Sequence, residues 1–191
     1  MQVLSLSGSP SQRSRSAWLL DWALKQLQPL ARSVRSLSLR DLPAAPLLAA
    51  DTRHAVIAEA MAAVSQADVV LVGTPIYKAA YSGLLKTFLD LLPQDALRGK
   101  TVLPLATGGS PAHLLAIDYA LRPVLHALGA RLLLDGVFVT DSQMPAHEVL
   151  GYLPDEAVIE RLSRALAPIH VTSPNPPAVQ RSAHLMEAAR C

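Results

Sequence analysis

Short apolar runs and longer amphipathic stretches alternate along this chain. "QVLSLSG" (residues 2–8) is short, β-prone and halted by Gly-Ser-Pro. "SAWLLDWALKQLQPL" follows, with Trp18, Trp22 and Leu27 near helical spacing. "SVRSLSL" (residues 33–39) predicts a modest strand, and a connection containing Pro43 and Pro46 comes next. "DTRHAVIAEAMAAVSQA" predicts a helix capped by Asp51 or Thr52, with an apolar stripe through Val56, Ile57, Ala60 and Val64. "DVVLVGT" (residues 68–74) is apolar without a break, the pattern of a strand buried on both faces.

The alternation continues to residue 169. "GLLKTFLDLL" is a helix that stops before Pro93, and residues 100–109 form another buried strand ending in glycine. A helix over 112–128, a fifth strand over 130–139 and a last helix over 154–169 complete the series. "VTSPNPPAVQRSAHLMEAAR" opens on proline and asparagine, so residues 1–171 read as one domain and 172–191 as a Pro-rich tail. No internal repeat is present.

Strands alternating with helices make βαβ units, a parallel sheet and right-handed crossovers. Five strands in about 140 residues is the size of a flavodoxin-like, three-layer α/β/α sandwich with sheet order 2-1-3-4-5. Such sheets bind ligands beyond the carboxyl ends of their strands, at the switch point flanked by strands 1 and 3.

Composition narrows the class further. The 191 residues suffice for one domain that buries roughly 70% of the surface its unfolded chain exposes. Seventeen basic residues against fifteen acidic are spread along the chain, unlike the basic stripe of a nucleic-acid binder. "MQVLSLSGSP" lacks the charged start of a signal peptide, and no run reaches the ~18 apolar residues of a membrane span. The sole cysteine, Cys191, excludes disulfides, CxxC chemistry and thiolate metal sites within one chain. The expectation is a cytoplasmic protein with no nucleic-acid or membrane partner and no metal.

The unusual residues fall in three loops at that carboxyl edge. "GSPSQRSRS" (residues 8–16) offers Gly8 for a tight turn, the hydroxyls of Ser9, Ser11, Ser14 and Ser16, the guanidiniums of Arg13 and Arg15, and a helix N-terminus. That set favours an anion, most often phosphate, although a Ser-rich helix cap looks the same. "GTPIYKAAYSG" holds two of the chain's four tyrosines, with Pro75 fixing the turn and Gly83 placed for close approach of a helix or partner. Tyr77 is the candidate to line a flat ligand, and Tyr81 equally suits helix–sheet or subunit packing. "ATGGSPAH" (residues 106–113) bares backbone amides at Gly108 and Gly109, or makes a plain turn. Phosphate donors, aromatics and bare amides on one edge suit a planar, phosphate-bearing cofactor, for which FMN is the natural candidate.

Several motifs are decoys. "RGKT" (residues 98–101) ends like a phosphate loop, but Gln94 stands where its first glycine belongs, and it precedes a strand. GxGxxG, GxSxG and HExxH are absent, and the six histidines lack ligand spacing, with only His113 near the three loops.

"LSGSPSQRSRS", "TPIYKAAYSGLLKTFLDLLP", "LRGKTVLPLATGGSPAHLLAIDYALRPVL" and "GVFVTDSQ" resemble the NADPH-dependent FMN reductases of alkanesulfonate utilisation, over nearly the whole chain to about Gln143. The resemblance implies hydride transfer from NADPH to FMN and delivery of FMNH2 to a separate alkanesulfonate monooxygenase. It also implies that Ser9, Ser14, Arg15 and Ser16 hold the phosphate, that Pro75, Ile76 and Tyr77 line the ribityl chain and ring, and that Thr107, Gly108, Gly109 and Ser110 meet the isoalloxazine. Relatives often carry arginine where this chain has Ser11, so Arg13 and Arg15 both remain candidates for the phosphate. Tyr119 matches a tyrosine that looks like a one-residue insertion, of the kind absorbed as a π-bulge. Pro123 removes a backbone bond in the same helix. The resemblance places that helix at a homotetramer (dimer-of-dimers) interface, with the tyrosine modulating turnover, and a plain helix–helix contact is the alternative.

The chemistry would belong to the flavin, so no acid or base is required, which agrees with the absence of any such constellation. Two other readings share the fold. One is a quinone, azo-dye or chromate reductase that keeps FMN tightly bound. The other is a flavodoxin-like electron carrier, against which the net charge of +2 argues.

Overall fold

The computed structural model describes residues 1–171, so the 172–191 tail lies outside the described residues. Three strands form the centre of the sheet: β1 (Gln2–Ser7), β3 (Val69–Tyr77) and β5 (Thr101–Gly108). Their apolar runs are buried on both faces, as a parallel sheet between helix layers demands. The edge strand β2 (Ser33–Ser38) is partly exposed and carries Arg35, which pairs with Glu59 at 2.6 Å.

Parallel registers fix the carboxyl edge. Ser7 lies opposite Gly73, and Pro75 opposite Thr107, so the loops after β1, β3 and β5 open at neighbouring heights. The fifth strand is two pieces, β6 (Leu132–Leu133) and β7 (Val137–Thr140), both parallel to β5. Counted as one, they give the expected order 2-1-3-4-5. Between the two pieces, Gly136 stands where a Cβ would come within 2.9 Å of Ile117, so a side chain has no room there.

One face is covered by α1 (Arg15–Leu27) and α6 (Glu156–Val171). Leu19, Leu20 and Leu27 of α1 pack there with Val158, Leu162 and Leu166 of α6 at helical spacing. The other face is covered by α2 (Ala44–Leu48), α3 (Ala55–Gln66), α4 (Gly83–Leu89) and α5 (Arg122–Ala127), with Ile57 and Phe88 fully buried. The caps differ from expectation at α3, whose N-cap is His54; Asp51 instead accepts the Arg53 N–H at 3.1 Å.

The helix expected over 112–128 is segmented. Pro111–His113 is a 3₁₀ turn, Ile117–Leu121 is a π-helix, and α5 begins only at Arg122. Pro123 has no N–H to donate into the preceding turn, and Arg122 N–H bonds back to Ile117 instead. Two hairpins were not visible in the sequence pattern: β4 (Ala80–Tyr81) folds antiparallel onto β3, and β8 (Ala146–His147) pairs with β9 (Gly151–Tyr152). Among the described residues no helix is long and apolar enough to cross a membrane.

Candidate active site

The loop after β1 is shaped by its own hydroxyls. Buried Ser9 accepts the Ser11 N–H at 3.2 Å, and Ser14 caps α1 by accepting the Ala17 N–H at 3.3 Å. Gly8 is required for closeness rather than for its φ. Its N–H donates to Gly73 at 2.8 Å, and a Cβ there would stand 2.7 Å from Leu85 Cβ.

The loop after β3 is tied to it. Ser82 Oγ donates to the Gly8 carbonyl and accepts the Leu85 N–H at 3.1 Å, capping α4. Ser82 N–H donates to Thr74 Oγ1 at 3.0 Å. Gly83, by contrast, has nothing within 4 Å of an added Cβ, so no close approach within the chain requires it. Lys78 and Ala79 both take positive φ (49° and 65°) to turn the β3–β4 hairpin.

These loops enclose a cleft of about 190 Å³. Ser9, Ser11, Arg13, Ser14 and Arg15 line one end, and Pro75, Ile76, Tyr77, Thr107, Gly108 and Gly109 line the other. Tyr77 is 49% exposed at its rim. Gly109 is open to the cleft, whereas a Cβ on Gly108 would press on Phe138 at 3.1 Å. Two expected residues stand just behind the wall. Ser16 is buried in the first turn of α1, 3.0 Å from Ser14 Oγ, and Ser110 caps the next 3₁₀ turn through the Ala112 N–H.

Tyr81 is half-buried against the helix-packed face, and burial raises its phenol pKa; Lys86 opposes that effect and Asp90 adds to it. Tyr119 is 56% exposed and donates its hydroxyl to the Ala79 carbonyl at 2.7 Å. The π-helix therefore touches the strained hairpin turn beside Tyr77.

Two residues lining the cleft were missed in the sequence. Asp141, at the end of β7, lies 3.2 Å from Arg15 Nη1, and the Tyr152 ring lies 4.9 Å from the Arg15 guanidinium carbon. Asp141 was signalled by its place at the end of a strand, within "GVFVTDSQ". Tyr152 had no such signal, since only the β8–β9 hairpin carries it there. A larger groove of about 540 Å³ lies at the opposite edge, around Met61, Leu92 and Lys100. Its cations are engaged: Lys100 donates to the Ser65 and Ala67 carbonyls, and Arg98 lies 4.0 Å from Asp95. Burial lowers the Lys100 pKa, with Asp68 opposing.

The family model described as NADPH-dependent FMN reductase matches residues 1–144. The chain belongs to that family. An FMN reductase (NADPH) from Pseudomonas putida is 49% identical over 176 residues, covering 90% of this chain and 87% of the relative. The FMN reductase (NADPH) of Escherichia coli K12 is 51% identical, covering 75% of each. Among solved structures, the apo form of the NADH:FMN oxidoreductase EMOB is 40% identical with a TM-score of 0.81, covering 100% of this chain and 99% of that one.

The donor set fits the flavin of this reductase family. Hydroxyls and guanidiniums at one end match a phosphate, while an aromatic rim and an unobstructed glycine at the other leave room for a flat ring.

Proposed function

We propose that this protein transfers hydride from NADPH to FMN in the cytoplasm and releases FMNH2 to an alkanesulfonate monooxygenase. The observation that carries the reading is the two-ended cleft, polar and cationic around Ser9–Arg15 and aromatic and open around Tyr77 and Gly109. Ser9, Ser14 and an arginine of the loop receive the phosphate, with Ser16 backing Ser14 from the first turn of α1. Pro75, Ile76 and Tyr77 line the ribityl chain and ring, and Thr107, Gly108 and Gly109 meet the ring's polar edge, with Ser110 behind them capping the next turn.

The bound flavin supplies the redox chemistry, and the protein supplies orientation and electrostatics. Hydride transfer needs nicotinamide and flavin faces stacked at roughly 3–3.5 Å, so the open side above Tyr77 and Gly109 is where the nucleotide enters. Backbone amides near Gly108 and Gly109 face charge that develops on the ring edge. The preference for NADPH rests on the relatives at about half identity, which are named for that nucleotide. Relatives named for NADH stand lower, at 35% for two curated reductases and 40% for the solved EMOB.

Delivery to an alkanesulfonate monooxygenase rests on the long shared motifs around the three loops. Assembly as a homotetramer is supported by exposed large side chains there: Leu114 and Leu115 just before the π-helix, and Tyr119 within it. The test is steady-state NADPH oxidation by the purified protein with and without added FMN. Turnover that appears only with FMN and saturates in it is expected. A yellow protein indifferent to added FMN, but active with quinones or azo dyes, would replace this reading with a bound-flavin reductase.

A further inference from the structure

We propose that Arg13, rather than Arg15, is the guanidinium that grips the flavin phosphate, and that Asp141 holds Arg15 away from it. The proposal rests on the FMN reading and divides the work of the two arginines in its phosphate loop.

Arg15 is committed at three points. Its Nε donates to the Met144 carbonyl at 2.8 Å, its Nη1 lies 3.2 Å from Asp141 Oδ1, and its carbon sits 4.9 Å from the Tyr152 ring centroid. Met144 is fully buried, so this anchor does not swing freely. Arg15 thus fastens the first turn of α1 to the segment after β7 and closes one wall of the cleft. A phosphate approaching it would have to share the cation with a carboxylate already in place. Asp141 Oδ2 also lies 3.9 Å from where a Gly109 Cβ would stand, so its negative charge borders the ring-side loop.

Arg13 lines the same cleft, is exposed, and makes no hydrogen bond or ion pair with any described residue. Its five donors are uncommitted, and a planar fork of N–H groups matches a phosphate bidentately. The phosphate therefore meets one free cation, beside a second already neutralised by Asp141. That arrangement gives moderate affinity, as suits a flavin that arrives as substrate and departs as product.

The experiment is equilibrium titration of the full-length protein with FMN and with riboflavin, which lacks the phosphate. Arg13→Ala should weaken FMN by about 10- to 100-fold, the loss expected for hydrogen bonds to a charged group, and shift riboflavin by less than about twofold. Arg13→Lys should recover part of the loss. Asp141→Asn should tighten FMN several-fold by releasing Arg15, again without moving riboflavin; the same variant would weaken FMN if Arg15 were the ligand and Asp141 its support. The assignment is overturned if Arg13→Ala leaves FMN unchanged, shifts both flavins together, or raises only the KM for NADPH. Wild-type protein that binds neither flavin would overturn the functional reading and this assignment with it. Normal wild-type binding with a silent Arg13→Ala would overturn this assignment alone.

Discussion

Ser82 binds the Gly8 carbonyl across 74 residues of sequence, and the same hydroxyl caps α4 by accepting the Leu85 N–H. One side chain thus locks the loop after β1 to the loop after β3. Ser82→Ala would leave the buried Gly8 carbonyl without this donor and α4 without its cap, so unfolding free energy should fall by about 2–3 kcal/mol. Urea titration checks the stability. The KM for FMN should rise in the same variant, because the phosphate loop loses its tether. A stable variant with wild-type KM would show that the link is dispensable.

The two glycines flanking this link predict opposite outcomes. Gly8→Ala places a methyl 2.7 Å from Leu85 Cβ and 3.3 Å from the Gly73 carbonyl, and should cost about 1–3 kcal/mol as overpacking. Gly83→Ala meets nothing within 4 Å at the first position of α4 and should stabilise by up to about 1 kcal/mol. Parallel denaturation curves of the two variants decide the matter; equal losses would refute the distinction.

What the sequence revealed follows from where its signals are local. The unbroken runs of β3 and β5 announce a doubly covered parallel sheet, and its carboxyl edge brings Ser9, Tyr77 and Gly109 to one cleft. The misreadings are tertiary in origin. A continuous fifth strand was expected over residues 130–139, yet residues 134–136 leave the ladder, next to Ile117, which leaves no room for a side chain on Gly136. Tyr152 reaches Arg15 only through the register of a two-residue hairpin, which no periodicity encodes. Arg13 and Arg15 look equivalent in "QRSRS" and are separated only by what Asp141 and Met144 do in three dimensions.

The β3–β4 turn stores strain beside Tyr77. Lys78 and Ala79 both sit in the left-handed region, where a side chain costs about 1–2 kcal/mol, and Asn-Gly would be the favoured pair. Ala79→Gly should therefore stabilise the protein by about 0.5–1 kcal/mol once the greater entropy of unfolded glycine is subtracted. Tyr119→Phe removes the 2.7 Å bond to the Ala79 carbonyl at an exposed site, so its thermal cost should be small, about 0.5 kcal/mol. Its larger effect should appear in the KM for FMN, since the turn then moves independently of the π-helix. Unchanged flavin kinetics in Tyr119→Phe would confine that contact to packing.

Asp21 gives the fold a pH signature outside the cleft. It lies on α1 beside a recess of about 200 Å³, with Ser36, Ser38 and Arg40. Burial raises its carboxyl pKa above the ordinary 3.8, and Lys25 one turn later partly opposes the shift. A carboxyl whose pKa is raised on folding holds its proton more tightly in the folded state. Its contribution to stability is fully present below pH 3.8 and is lost as the pH climbs through the folded value. Asp21 is exposed, so solvent screens most of this effect, and at neutral pH the ionised group is only a small net cost. Asp21→Asn should melt above the wild type at pH 7, and the two curves should converge as the pH falls below 3.8. Lys25→Met should lower the melting temperature at pH 7, because it removes the attraction that offsets desolvation of the carboxylate. A melting difference for Asp21→Asn that stayed constant from pH 7 down to pH 3 would assign its effect to packing instead of ionisation.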